Sequence, residues 1–147
     1  MNNEASKIRK IIWPVLSVLV ALGIFISSAM TGEVSGYASM TIAGWVRYIL
    51  PVSDSTLAVM HFFVRKTAHF VVYFVLAFCV AHSFKFYVHS FRKLLLLAWG
   101  IASVYGVTDE IHQYFVPGRV MAISDMLINA AGAFVGAAVV VWYLRRT

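Results

Sequence analysis

The sequence predicts an all-α integral membrane bundle of about four transmembrane helices, on three observations. The residues are 61% hydrophobic and only 12% charged, whereas soluble domains sit near roughly 45–50% apolar and about 25% charged. The mean hydropathy is +0.83. The apolar residues are also gathered into four runs, each long enough to cross about 30 Å of hydrocarbon as a helix of about 20 residues. One transmembrane domain spanning residues 1–147 accounts for the length. There is no internal repeat and no low-complexity segment.

The first run extends from Ile11 to about Met30 and is led by Lys7, Arg9 and Lys10. Those charges resemble the basic start of a signal peptide, but the run is too long for a secretory core and the rest of the chain is membranous too. An uncleaved first helix is expected. Pro14 sits near its start, where a missing N–H costs little. A looser stretch follows from Thr31 to about His61, carrying Gly32, Gly36, Gly44 and Pro51. Within it, Met40–Leu50 holds Trp45, Arg47 and Tyr48 among apolar residues. Trp and Tyr favour the headgroup level, so this stretch reads as an outer loop with a short interfacial helix, or as a plain ordered loop. The second span is expected over about Val64–Phe84, the third from about Leu94 to His112 or slightly beyond, and the fourth over about Ser124–Leu144.

The distribution of Lys and Arg gives a direction. With both termini cytoplasmic, Lys7, Arg9, Lys10, Lys85, Arg92, Lys93, Arg145 and Arg146 lie inside, which is eight of the twelve basic residues. Arg47, Arg65, Lys66 and Arg119 lie outside. An even number of spans fits, and a multi-pass protein of the cell inner (cytoplasmic) membrane is expected. The net charge of +6 then reads as topology signals and as partners for anionic lipid headgroups. Nucleic acid is not an expected partner, because no basic face with interleaved aromatics exists. Cys79 is the single cysteine, so neither an intramolecular disulfide nor a cysteine metal site can form. It reads as a small buried hydrophobe.

Ionisable groups at membrane depth are expensive and normally face the bundle interior with a partner. Three segments carry them. In Arg65–Tyr73, Lys66, His69 and Tyr73 are spaced i, i+3, i+7 and share a helix face. In Tyr105–Gln113, Tyr105, Asp109 and His112 fall on one face, with Glu110 and Gln113 on its flank. In Gly118–Gly136, Asp125, Asn129, Gly132 and Gly136 recur at i, i+4, i+7, i+11, and Gly132-x-x-x-Gly136 permits close helix approach. All three segments place their polar residues at one depth on one side.

Each group also has a plainer reading. Arg65 and Lys66 read as snorkelling anchors at a helix end, His69 as a hydrogen-bonded core histidine, and Asp109 and Glu110 as caps or as partners of Arg119. His61, His82 and His89 read as structural. Read for chemistry, His69, Asp109, Glu110, His112 and Asp125 are candidates for acid–base work. Lys66 and Arg119 suit an anion, and Tyr73, Gln113 and Asn129 suit substrate hydrogen bonds. The Asp, Glu and His residues could instead hold a divalent metal, although no spacing matches a defined motif and the cofactor stays unknown. Neither a serine-nucleophile motif nor a phosphate-binding loop is present.

The same residues carry a resemblance. Arg65-Lys66-x-x-His69-Phe70-x-x-Tyr73, Asp109-Glu110-x-His112-Gln113-x-Phe115-x-Pro117-Gly118-Arg119 and Asp125-x-x-x-Asn129-x-x-Gly132 resemble the VanZ-like family. The match runs from about Ser27-Ser28 to Gly136, and the Asp109-to-Arg119 stretch is its most specific part. The resemblance implies a small bacterial membrane protein with several helices and a link to resistance against the glycopeptide teicoplanin. It leaves the biochemical mechanism open.

The leading expectation is therefore a cell-envelope protein acting on or binding an anionic lipid or lipid-linked envelope precursor at the outer leaflet. In an enzymatic form, Lys66 and Arg119 hold the anion, His69 or His112 moves a proton, and Asp109, Glu110 or Asp125 orients it. The alternative is a non-catalytic binding or scaffolding protein whose polar cluster is an ion-pair network. Four spans are few for transport unless the chain forms a homo-oligomer, and the interrupted helices of transporters are missing. A cavity beside the cluster separates the first two readings, since a site needs an opening and a scaffold does not.

Overall fold

A computed structural model of the chain describes residues 3–49 and 53–147, and it is helical throughout with no strand among them. The helices are α1 (Asn3–Ala29), α2 (Gly32–Ile49), α3 (Asp54–Phe84), α4 (Phe91–Tyr114) and α5 (Ile123–Arg146). Among the described residues, α1, α3, α4 and α5 are long and apolar enough to cross a membrane. The four expected spans are therefore present. Each extends beyond its apolar run, because helix geometry continues through the polar flanks.

Two boundaries differ in ways that matter. Helix α1 begins at Asn3, so Pro14 lies inside it rather than near its start. A Lys7–Glu4 contact of 3.0 Å supports the polar first turns. Pro14 removes the bond to the Lys10 carbonyl, which lies at the charged end of the helix. The second difference is larger. Thr31–His61 is not mainly loop, since it forms α2 and the first two turns of α3. Ser53 caps α3, accepting from the Thr56 N–H at 3.3 Å. At 31 residues, α3 is about 46 Å long, well beyond the hydrocarbon thickness. Helix α2 packs on this extension, and a ring nitrogen of His61 bonds the Gly36 carbonyl at 3.3 Å. Exposed Tyr37, Trp45 and Tyr48 on α2 fit the interfacial reading. Leu50 and Pro51 lie outside the described residues, as does the Arg47 side chain.

The bundle has two unlike ends. At one end Lys10 sits over the Phe86 ring, Arg145 over the Phe91 ring, and Ser17 meets Ser83 at 3.2 Å. Both termini and the α3–α4 turn are thus together, as the charge pattern requires. At the other end the α1–α2 junction meets the α4–α5 loop, where Gly32 N–H donates to the Pro117 carbonyl at 3.0 Å.

Helix α3 is central and packs against each of the other four. Its closest neighbour is α5. A Cβ on Gly132 or Gly136 would fall inside contact distance of the Phe70 and Phe74 carbonyl oxygens, respectively. Around this seam Ala77, Ala81, Ala98, Ala102, Ala133 and Ala137 are all fully buried. Lipid tails are as apolar as leucine, so close packing of small residues replaces a large-residue core as the force joining membrane helices.

Gly132→Ala therefore drives a methyl group into backbone that cannot rotate away. A loss of about 1–3 kcal/mol is expected, read as a lowered melting temperature in detergent. Gly100→Ala, at a helical position with nothing within 4 Å, should be neutral or gain up to about 1 kcal/mol.

Candidate functional site

Helix periodicity sets Lys66, His69 and Tyr73 on the face of α3 that meets α4 and α5. The Gly132 seam brings α5 close enough for direct side-chain contact. Lys66 Nζ forms an ion pair with Asp125 Oδ1 and donates to Ser124 Oγ at 3.1 Å. His69 Nδ1 meets Asn129 Oδ1 at 3.1 Å. From α4, Glu110 Oε2 accepts from the Ala122 N–H at 3.1 Å and so fixes the entry of α5. Gln113 Nε2 donates to Asp109 Oδ2 at 3.0 Å and to Ser28 Oγ of α1 at 3.1 Å.

Arg119 closes the far end. Its Nη2 donates to the Ser27 carbonyl at 2.7 Å, Nε to the Met30 carbonyl at 3.1 Å, and Nη1 to Gln113 Oε1 at 3.3 Å. A left-handed Gly118, with φ +73°, turns the loop back, and Gly32 packs on it with no room for a Cβ. Burial pulls the Arg119 pKa below its ordinary value and the Arg65 guanidinium adds to this, with Asp109 and Glu110 opposing. An arginine starts so high that it stays cationic.

Beside this cluster lies a cleft of about 660 Å³ between α1 and α3. Its walls change character along the bundle axis. Val20, Ile24, Val72 and Val75 line one part, whereas Arg65, His69, Tyr73, Asp109, Gln113 and Arg119 line the part nearer the α4–α5 loop. Arg65 is half-buried and has neither a hydrogen bond nor an ion pair among the described residues. Inside the cluster two fully buried side chains each keep a polar atom without a hydrogen-bond partner among the described residues: Glu110 Oε1 and Asn129 Nδ2.

Nine of the ten residues singled out from the sequence meet here. His112 does not. It stacks on Phe25 of α1, with ring centroids 4.9 Å apart, and its buried Nδ1 has no hydrogen-bond partner among the described residues. Tyr105 also turns away, donating to the Ala21 carbonyl at 2.7 Å. The buried face of α4 runs through Gly106, Asp109, Glu110 and Gln113. Glu110 and Gln113 are thus its centre and His112 its flank, the reverse of the sequence expectation. At about 100° per residue, three positions from Asp109 lead to one side of the face and four to the other. Sequence reasoning missed two contributors. Arg65 reads as a membrane anchor but lines the cleft. Ser28 is signalled only as the start of the family pattern, yet it is buried against Gln113.

A sequence model described as VanZ/LLP1 matches residues 13–144. The chain belongs to the VanZ/LLP1 family. No curated protein and no solved structure matches it. This VanZ/LLP1 member is a multi-pass membrane protein, and every segment of the family pattern named above lies at the cluster or on its supporting seam.

Chemically, the arrangement offers cations to an anion in the cleft and a histidine whose Nδ1 meets the Asn129 amide oxygen at 3.1 Å, with Glu110 Oε1 3.8 Å from the same nitrogen. It also offers one group of donors, His69, Glu110 and Asp125, close enough to share a metal ion. Asp125 depends on Lys66 for neutralisation, with side-chain exposures of 4% and 16%. Removing one partner of a buried pair leaves the other charge uncompensated. Lys66→Met should therefore cost about 3 kcal/mol or more, and Lys66→Met with Asp125→Leu should recover most of it. Thermal unfolding of the four species of this cycle checks the expectation.

Proposed function

We propose that the cleft binds an anionic lipid, or the headgroup of a lipid-linked envelope precursor. The acyl chain would lie along the valine-lined part and the headgroup between Arg65 and Arg119. The observation that carries this reading is the graded cleft itself. Arg65, half-buried and without an ion pair among the described residues, stands at one end of a largely apolar trough walled mainly by α1 and α3. Such a trough suits an amphiphile, with apolar walls for the chain and a few convergent polar groups for orientation. A guanidinium binds phosphate in a forked geometry, and three of the five Arg119 donors are already committed to holding the loop. Arg65 is the freer of the two. A closed ion-pair network would need no such opening.

The positive-inside rule supports setting the basic end in the cytoplasm and the cleft toward the outer leaflet of the cytoplasmic membrane. There the protein would alter which lipid-linked groups are displayed. That role would connect it with the teicoplanin tolerance that the family resemblance implies.

Arg65→Gln tests the binding reading without breaking a hydrogen bond among the described residues. Native mass spectrometry of the detergent-solubilised chain should retain an anionic lipid in preference to a zwitterionic lipid with the same acyl chains. Arg65→Gln should lower that preference by about tenfold, equivalent to about 1.4 kcal/mol, with melting changed by no more than about 0.5 kcal/mol. Equal retention of the two lipids by the unsubstituted chain would sink the proposal. In cells, expression of the chain should raise teicoplanin tolerance and Arg65→Gln should remove the gain.

A further inference from the structure

The carboxylate behind the cleft raises a separate question. Glu110 is fully buried, and one of its oxygens, Oε2, is used by the Ala122 N–H. The other, Oε1, has no hydrogen-bond partner among the described residues. Burying a carboxylate oxygen unpaired costs far more than burying a neutral group, so such oxygens normally face a proton, a cation or a metal. The nearest basic atom is His69 Nδ1 at 3.8 Å. That is too long for a hydrogen bond and too short for a bridging water in line, which needs two bonds of about 2.8 Å. It is shorter than two metal–ligand bonds of about 2.0–2.2 Å each, so one ion can reach both atoms where it displaces the contact of Nδ1 with Asn129 Oδ1.

Asp125 completes the set. His69, Glu110 and Asp125 come from α3, α4 and α5, and their donor atoms all lie within 4.8 Å of one another. Around a tetrahedral ion with bonds of about 2.0–2.2 Å the donors stand about 3.3–3.6 Å apart, so the widest pair must close by up to about 1.5 Å to share it. The glycine seam locks α3 to α5, and Gly106 of α4 packs on Asn129 and Tyr73, so the backbone frame is stiff and closure falls to side-chain rotation. His69 also lines the cleft, which gives an ion a route in.

We infer that His69, Glu110 and Asp125 form a binding site for one divalent transition-metal ion of the zinc or manganese class. Donor chemistry selects the class. Imidazole suits zinc and other borderline ions, and carboxylate suits manganese and zinc, while an all-oxygen set would favour magnesium or calcium. Three protein ligands leave a coordination position open, as in catalytic rather than structural zinc sites. Together the two carboxylates can carry two negative charges, and in the metal-free chain Lys66 balances the one on Asp125. An ion therefore competes with that ammonium for the Asp125 carboxylate. The inference stands apart from the headgroup reading, because its test contains no lipid.

The test uses the full chain without a histidine tag, purified in detergent, stripped with a chelator, exposed to zinc, manganese or magnesium, and freed of excess ion. Metal content by mass spectrometry should give about one equivalent of zinc or manganese per chain, with a raised melting temperature. Glu110→Gln keeps the size of the side chain and an acceptor for Ala122. It should lower affinity by at least about tenfold, and Asp125→Asn should do the same where Glu110→Gln fails to fold. Lys66→Gln should still bind, and added metal should raise its melting temperature more than that of the unsubstituted chain, since the ion then supplies the charge that Asp125 has lost. Absence of retained zinc and manganese would overturn the inference. So would unchanged retention in Glu110→Gln and Asp125→Asn, or retention of magnesium alone.

Discussion

The contact between α3 and α5 is made backbone to backbone. Gly132 and Gly136 lie against the carbonyls of Phe70 and Phe74, which no residue with a side chain could do. Everything at the site takes its position from this seam. His69 adjoins Phe70 in the chain, and Asn129 stands one turn before Gly132, so fixing the glycines against those carbonyls also fixes the histidine against the amide. Lys66 and Asp125 fall into register one turn further along. Without the close approach, short side chains such as Asn129 and Asp125 would not span the gap between two helices at ordinary separation.

The bilayer supplies the second constraint. Charges that would be tolerated at a soluble surface must be paired, buried together or placed beside an opening. This chain does all three at one depth. Lys66 and Asp125 pair, Gln113 bridges Asp109, Ser28 and Arg119, and Arg65 stands at the cleft. The network therefore closes the end of the bundle while leaving one side accessible. A membrane protein that handles amphiphiles needs both properties, since the same helices must hold together in lipid and admit a molecule from it.

Helix α1 is held differently from the others. Its contacts with Arg119 run through backbone carbonyls, of Ser27 and of Met30 just past its end. Along the apolar length it faces the cleft. The polar end thus acts as a tether and part of the apolar length as a wall of the cleft.

Much of this is local and was legible in the residues. A membrane helix satisfies its own backbone hydrogen bonds, so hydropathy and length alone mark the four spans, and basic residues mark their common end. The 3.6-residue period places Lys66, His69 and Tyr73 together and spaces Asp125, Asn129 and the two glycines. The family pattern likewise sits in contiguous residues. Helix α2 was only half visible, because glycine, serine and threonine weaken its pattern and packing on α3 supports it.

Tertiary structure alone decided which residues meet across helices. Spacing could not separate His112 from Gln113, which lie on opposite flanks of Asp109, because the choice depends on where α1 packs. Nothing in the sequence announces the Arg119 tether, since backbone carbonyls are the same at every residue. The cleft is likewise a property of the gap between α1 and α3. The sequence by itself determined the spans, their common charged end and the candidate polar groups, because those depend on each helix and its solvent. Only packing decided the pairings, the opening and the unpaired Glu110 oxygen, because those depend on distances between helices far apart in the chain.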